Sequence, residues 1–155
     1  MFNLFDMLTV LYKYKKLYEK RCCGLMKKYG LRTADLDILF YIAHSGSRNL
    51  SKDIVDIGMS KANVSKSVDH LRKKELVTLS EDPEDRRCVH IETTESALSV
   101  ILELRAIRED MAESLYQDIS EEDRGIAVKV MRMIGDNANK ELASEDMKDF
   151  REKGG

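Results

Sequence analysis

The chain of 155 residues contains a single proline, Pro83, so long helices are permitted almost everywhere else. Pro83 lies in a polar stretch, 80–87, between two short segments, 76–79 and 88–93, that have the composition of β-strands. The sequence therefore predicts one β-hairpin with a charged loop, in a chain that is otherwise helical.

Six other segments have the apolar spacing or the flanking residues of helices. We expect helices over residues 3–28, 33–43, 52–57, 61–74, 94–118 and from 121 to beyond 142. Their expected N-caps are Ser51, Ser60, Thr94 and Ser120, and their expected stops are Gly30 and Gly58. Residues 45–49 are expected to form a loop, and 151–155 a frayed tail.

The order of these elements is that of a winged helix-turn-helix: a short helix, a glycine turn, a second helix and a hairpin wing. We therefore predict a mainly α fold with a small β-hairpin wing, in which residues 31–93 form the winged helix-turn-helix domain. The helices within 1–30 and 94–147 carry more apolar surface than so small a core can cover. They are expected to be dimerisation helices of a homodimer.

The charges are unevenly distributed, although the net charge is only −2. Residues 48–74 contain seven basic and three acidic side chains, whereas 95–124 contain nine acidic and three basic ones. Such a dipole suits a protein that presents one face to phosphate, although ordinary variation in surface charge would also explain it.

Nothing in the sequence predicts a membrane span or an export signal. No apolar run approaches the roughly 18 residues of a membrane helix, and the N-terminus lacks the basic start of a signal peptide. The three cysteines form no CxxC pair, which fits a reducing compartment. We expect a cytoplasmic protein with no membrane partner.

The helix predicted at 61–74 has a polar face suited to double-stranded DNA. Its apolar residues are Val64, Val68 and Leu71, so the opposite face is expected to carry Lys61, Asn63, Lys66, Ser67 and His70. Lysine and asparagine read guanine and adenine edges in the major groove, and the N-terminus of a helix attracts phosphate. Arg86 and Arg87, at the hairpin tip, suit the narrow minor groove.

Two motifs then resemble those of the MarR regulators. Residues 59–71, followed by Lys73-Lys74-Glu75-Leu76-Val77, are similar to the recognition helix of that family, and the DPEDRR segment at 82–87 is similar to its wing. Thr94-Glu95 resembles the start of its dimerisation helix, and the order of elements matches over nearly the whole chain. The resemblance implies a homodimeric transcription regulator that binds an inverted-repeat operator and is released or modulated by a small-molecule effector.

The helix face, the caps and the resemblance together predict the DNA-contacting residues. These are Ser51, Ser60, Lys61, Ala62, Asn63, Ser65, Lys66, Asp85, Arg86 and Arg87. The resemblance implies that Arg87 enters the minor groove, that Asp85 holds the wing arginines by an ion pair, and that Arg86 lies near the DNA backbone. Glu75 stands where the family usually has glycine. If the turn requires a left-handed conformation there, the β-carbon of glutamate would cost about 1 kcal/mol.

The tyrosines of the first two helices are candidates for an effector site. In MarR-like proteins a cleft in this region binds small aromatic or phenolic ligands, which points to Tyr12, Tyr18, Tyr29 and Tyr41. Packing in the core or in the dimer interface explains the same tyrosines.

The cysteines and histidines have both a chemical and a structural interpretation. Cys22 and Cys23 could form a redox switch, but adjacent cysteines rarely pair, and relatives carry a peroxide-sensing cysteine near the start of the first helix. Cys88 and His90 share one face of a strand, yet two ligands do not make a metal site. We favour structural packing for both pairs and expect no metal.

Two other classes of protein compete with a DNA-binding regulator. A winged-helix module that binds only proteins would not require Lys61 and Lys66 to be combined with the wing arginines Arg86 and Arg87. An enzyme is disfavoured because the sequence has no glycine-rich phosphate loop, no HExxH motif and no nucleophile with its base. We therefore expect neither catalytic residues nor a cofactor.

Overall fold

The computed structural model of the protein describes residues 3–45, 48–49 and 58–153. Its elements are α1 (Leu4–Tyr29), α2 (Thr33–Ser45), β1 (Arg48–Asn49), α3 (Lys61–Lys73), β2 (Val77–Glu81), β3 (Val89–Thr93), a short 3₁₀-helix (Glu95–Ala97), α4 (Leu98–Leu115) and α5 (Glu121–Lys153). The chain divides into two compact units, Met1–Ala112 and Glu113–Gly155. The helix predicted at 52–57 and its N-cap Ser51 lie outside the described residues.

Local signals fix both ends of α1. At the N-terminus, the Asn3 side chain accepts a 3.0 Å hydrogen bond from the N–H of Asp6, and the Asp6 carboxylate accepts one from the N–H of Asn3. At the C-terminus, Gly30 adopts a left-handed conformation (φ 64°), and its N–H donates to the carbonyl oxygen of Met26. The predicted glycine stop is confirmed.

A small antiparallel sheet follows α3. β2 and β3 form the predicted hairpin, with Val77 opposite Thr93 and Glu81 opposite Val89. β1 pairs with the other edge of β3, so the strand order is β1-β3-β2. The prediction of a loop was therefore wrong at 45 and at 48–49, whereas 46 and 47 lie outside the described residues. α2 continues to Ser45, and the strand β1 forms because β3, some forty residues later, supplies its partner.

The core of the first unit lies between α1, α2, α3, α4 and the hairpin. Its fully buried large side chains include Leu36, Ile38, Leu39, Ile42, Leu71, Ile91, Val100, Leu104 and Met111. Val64, Val68 and Leu71 hold α3 against this core, as its apolar spacing predicts.

The start of α4 departs from the prediction. Thr94 has the extended backbone of an N-cap, but its side chain caps no N–H, and the first turn after it is the 3₁₀-helix. Its hydroxyl donates a hydrogen bond to the carbonyl oxygen of Glu75. α4 ends at Leu115, slightly before the predicted end at 118.

The second unit is dominated by α5, a helix of 33 residues. Ser120 is its N-cap as predicted, because its hydroxyl oxygen accepts a 3.1 Å hydrogen bond from the N–H of Asp123. The Asp123 carboxylate in turn accepts from the Ser120 hydroxyl. The helix continues to Lys153, so the tail predicted to fray from 151 is helical at its start. No helix in the described part of the chain is long and apolar enough to cross a membrane.

Candidate nucleic-acid interface

The N-terminus of α3 is capped by a serine hydroxyl. Ser60 has an extended backbone, and its Oγ accepts a 3.3 Å hydrogen bond from the N–H of Asn63. In any α-helix the first N–H groups have no partner within the helix, so this end presents donors and a partial positive charge. The end of α3 therefore has the chemistry that a phosphate group requires.

One face of α3 is exposed and mainly polar. It consists of Lys61, Ala62, Asn63, Ser65 and Lys66, all predicted DNA-contacting residues. The opposite side is buried through Val64, Val68 and Leu71. The structure thus groups five of the predicted residues on one accessible surface, which we call the exposed face of α3.

Two residues expected on that face are turned inward. Ser67 is only 1% exposed, and its hydroxyl accepts a 3.2 Å hydrogen bond from Nη2 of Arg32. His70 is half-buried, and its Nδ1 lies 2.8 Å from Oδ2 of Asp35, to which it donates. The expectation was wrong for Ser67, which lies three residues after Val64 and four before Leu71, within the buried stripe. His70 keeps 32% of its side chain exposed, four residues after Lys66 on the same side of the helix.

Asp35, in the first turn of α2, collects these polar contacts. Its side chain is fully buried and accepts hydrogen bonds from the backbone N–H, Nε and Nη2 of Arg32 at 2.8, 3.1 and 2.7 Å. Burial by itself would raise the pKa of the Asp35 carboxyl, but the hydrogen bonds from Arg32, His70 and Ser67 outweigh it and hold the pKa below its ordinary value. Asp35 is therefore a buried, ionised carboxylate that faces α3.

The loop between β2 and β3 is organised by Asp82. Its Oδ1 accepts hydrogen bonds from the N–H groups of Glu84 and Asp85 at 2.8 and 3.1 Å. Its Oδ2 lies 2.8 Å from Nε2 of His90 on β3. These bonds, led by that of His90, lower the pKa of the Asp82 carboxyl. The charged loop predicted at the wing is thus a defined turn.

Asp85 fixes the backbone that carries the wing arginines. Its Oδ1 accepts a 3.0 Å hydrogen bond from the N–H of Arg87, and its carbonyl oxygen accepts one of 2.8 Å from the N–H of Cys88. Arg86 and Arg87 are both exposed. Asp85 therefore supports the backbone at Arg87 and Cys88, and the ion pair expected between its carboxylate and the wing arginines stays a prediction.

Of the four candidate ligand tyrosines, Tyr18 lines a cavity. The cavity has a volume of about 310 Å³ and is lined by Tyr14, Lys15, Tyr18, Thr33, Asp37 and Arg108. Tyr29 instead donates a 2.7 Å hydrogen bond to Glu103, Tyr41 packs against the core, and Tyr12 is largely exposed. The structure therefore does not bring the four tyrosines together.

The cavity is built around an ion pair that the sequence did not reveal. Nη2 of Arg108 donates to Oδ1 of Asp37 at 2.9 Å and to the Tyr18 hydroxyl oxygen at 2.8 Å. The guanidinium carbon lies 4.0 Å from the centre of the Phe40 ring. Burial raises the pKa values of Tyr18 and Asp37. Asp37 and Arg108 are 71 residues apart, and no local signal links them.

The cysteines are all free thiols. Cys22 is buried in the core, where burial raises its pKa, and Cys88 is buried beside Asp85. Cys23 is exposed. Across the described ranges, no three His, Cys, Asp or Glu side chains form a group that could hold a metal ion.

A helix buried on one side and exposed on the other, followed by an antiparallel hairpin with arginines near its tip, defines a winged-helix protein of the kind that binds DNA. The sequence model of the MarR family matches residues 29–87. An uncharacterized HTH-type transcriptional regulator of Bacillus subtilis (strain 168), YhbI, is 30% identical over 118 residues, which are 76% of this chain and 74% of that protein. The chain belongs to the MarR family of DNA-binding transcriptional regulators, and the resemblance inferred from its motifs is confirmed.

Solved structures share the fold at low sequence identity. A MarR protein from Peptoclostridium difficile has a TM-score of 0.78 and 17% identity, covering 91% of this chain and 92% of its own. BpsR of Bordetella bronchiseptica, whose DNA binding is regulated by 6-hydroxynicotinic acid, has a TM-score of 0.70 and 19% identity, covering 86% and 94%. The predicted fold class, mainly α with a hairpin wing, is confirmed.

Proposed function

We propose that the protein is a homodimeric regulator that reads an inverted-repeat operator with α3 in the major groove and the wing in the minor groove. The observation that carries this proposal is the exposed face of α3. Lys61, Asn63 and Lys66 lie together on a helix that the core holds from its other side, so they are free to meet base edges. The residues near 31–93 would then form the DNA-binding domain.

The dimer is supported by apolar side chains that the single chain leaves exposed. On α1 these are Leu4, Phe5, Leu8, Val10, Leu11, Tyr12 and Tyr14. On α5 they are Ile126, Val128, Val130, Met131, Met133, Ile134, Leu142 and Met147. Apolar surface on this scale is typical of a protein–protein interface. The segments 1–30 and 94–147 therefore serve as dimerisation helices, and a regulator of this kind acts in the cytoplasm.

The cavity at Arg108 is a suitable site for a small aromatic or phenolic effector. Arg108 lines this cavity, so its guanidinium can donate to a carboxylate or phenolic oxygen of a ligand. The Phe40 and Tyr18 rings pack against the guanidinium and hold it in place. A ligand acceptor would compete with Asp37 for Arg108. Thermal shift with 6-hydroxynicotinic acid and related aromatic acids, on wild type and Arg108→Met, tests this part.

Selection of bound sequences from random DNA tests the proposal as a whole. We expect an inverted repeat whose half-sites lie about 10 base pairs apart, because the two copies of α3 in a symmetric dimer face the same side of the duplex. Light scattering of the free protein is expected to give twice the mass of the 17.8 kDa chain. A folded monomer at micromolar concentration, or the absence of any enriched sequence, contradicts the proposal.

A further inference from the structure

α3 is tied to α2 by polar contacts that converge on one buried carboxylate. His70 reaches Asp35 directly at 2.8 Å, and Ser67 is joined to it through Arg32, whose Nη2 lies 3.2 Å from the Ser67 hydroxyl and 2.7 Å from Asp35. The carboxylate is flanked along α2 by core residues such as Leu36 and Ile38. α3 is therefore held in place by directional hydrogen bonds as well as by apolar packing.

Apolar packing alone would leave the orientation of α3 on the core less precisely defined. Val64, Val68 and Leu71 supply the burial that holds the helix, but apolar contacts tolerate small rotations and shifts. Hydrogen bonds depend steeply on distance and angle, so the bonds at Ser67 and His70 restrict rotation of the helix about its axis. A buried charge costs free energy, and its retention here is consistent with a gain in specificity of packing.

The two anchored residues lie close to the exposed face of α3. Ser67 and His70 follow Asn63 and Lys66 by four residues each, which is about one helical turn. Because the helix is rigid over that distance, fixing the two anchors fixes the direction in which Asn63 and Lys66 point. Recognition by hydrogen bonds requires a geometry held to about half an ångström.

We propose that Asp35 is a positioning residue for DNA recognition. Through His70 and through Arg32 and Ser67, it sets the rotation of α3, so that Asn63 and Lys66 meet base edges in a single geometry. Loss of this anchor leaves phosphate attraction in place and degrades discrimination between sequences. The inference rests on α3 reading base edges, as proposed above.

The test compares three full-length proteins: wild type, His70→Ala and His70→Asn. Asparagine retains a donor close to the position of Nδ1, so it can still bind Asp35, whereas alanine cannot. Fluorescence anisotropy gives the affinity for the duplex enriched by wild type and for a scrambled duplex of the same composition. We expect the ratio of the two affinities to fall about tenfold in His70→Ala and to return to within about threefold of wild type in His70→Asn.

A double-mutant cycle assigns the effect to Asp35. Asp35→Asn is expected to lower the same ratio, and adding His70→Ala to it should then cause little further loss, because both changes remove one contact. All variants are measured at one temperature, below the start of the melting transition of the least stable of them, so that unfolding does not contribute. If Asp35→Asn does not fold, the two His70 variants still decide the question.

Asp69→Asn is the matched control. It removes one carboxylate charge, as Asp35→Asn does, but from a residue of α3. Asp69 is paired within its own helix, with Arg72 and Lys73. Its affinities for both duplexes should change together, which leaves the ratio as in wild type. A wild-type protein that enriches no sequence overturns the proposed function. If wild type is selective, either of two results overturns the role of Asp35. One is a His70→Ala affinity ratio within about twofold of the wild-type ratio, and the other is a lowered ratio that His70→Asn does not restore.

Discussion

The hydroxyl of Thr94 donates a 2.6 Å hydrogen bond to the carbonyl oxygen of Glu75, across the turn that joins α3 to the wing. Glu75 adopts a left-handed backbone conformation (φ 57°), and the N–H of Thr94 donates to the carbonyl oxygen of Leu76. The two bonds fasten the end of β3 to the turn after α3. They hold a glutamate in a conformation that glycine adopts more readily.

Glu75→Gly is expected to stabilise the protein. Removing the β-carbon relieves the left-handed strain, and we expect the free energy of unfolding to rise by about 1 kcal/mol, less the entropy that glycine loses on folding. Urea denaturation at a fixed protein concentration measures it. The neighbouring Lys74, with φ −83°, is the control: Lys74→Gly should destabilise, since no strain is relieved there. A Glu75→Gly protein less stable than wild type contradicts this account of the turn.

The buried Asp35 carboxyl should make the free energy of unfolding depend on pH in the acid range. Its folded pKa is lowered, so its contribution is present above the unfolded value of about 3.9 and is lost as the pH falls through the folded pKa. The difference in stability between wild type and Asp35→Asn should therefore be largest near neutral pH and shrink below about pH 4. Urea denaturation at several pH values measures this difference. A difference that stays constant into acid would show that the charge of Asp35 contributes nothing.

The cysteines should be dispensable for DNA release. Cys22 is buried with a raised pKa, so little reactive thiolate is available there, and Cys88 is also buried. Replacing Cys22, Cys23 and Cys88 with alanine or serine should leave the response of DNA binding to peroxide or diamide as in wild type. Gel shifts with and without oxidant measure it. The opposite result would be that wild type leaves its operator on mild oxidation whereas a Cys22 or Cys23 variant stays bound. That result would establish a redox switch.

Features set by local chemistry could be predicted from the sequence. The stop at Gly30, the cap at Ser60 and the hairpin around Pro83 each follow from a few adjacent residues. Contacts between distant segments could not be predicted in this way. Ser67 was placed on the wrong face, and the bond of His70 to Asp35 was missed, because their partners are 35 residues away and a polar residue without a visible partner is expected at the surface.

The cavity beside Arg108 shows the same limit. The resemblance to MarR proteins pointed to four tyrosines, but only the fold reveals that Tyr18 meets Asp37 and Arg108. The strand β1 is a further case, since two residues become a strand only when β3 is beside them. The contacts of Ser67 and His70, the cavity and the strand β1 all depend on tertiary partners, which have no signature in a single sequence.

α3 and the wing should read DNA in different ways. Asn63 should contact base edges in the major groove, so Asn63→Ala is expected to cost about 1–3 kcal/mol and to relax preference at particular bases. Arg87 should sense the width of the minor groove, so Arg87→Ala is expected to weaken binding broadly and to reduce preference for A·T-rich flanks. Lys61→Ala provides a second variant on α3.

Affinity across a library of operator variants, measured for wild type, Asn63→Ala, Lys61→Ala and Arg87→Ala, separates the roles of α3 and the wing. We expect the α3 variants to lose discrimination at a few defined positions in each half-site, and Arg87→Ala to lose affinity and flank preference. If Arg87→Ala binds every operator variant as wild type does, the wing does not enter the groove as proposed. If Asn63→Ala and Lys61→Ala leave the sequence preference unchanged, α3 is not the helix that reads DNA.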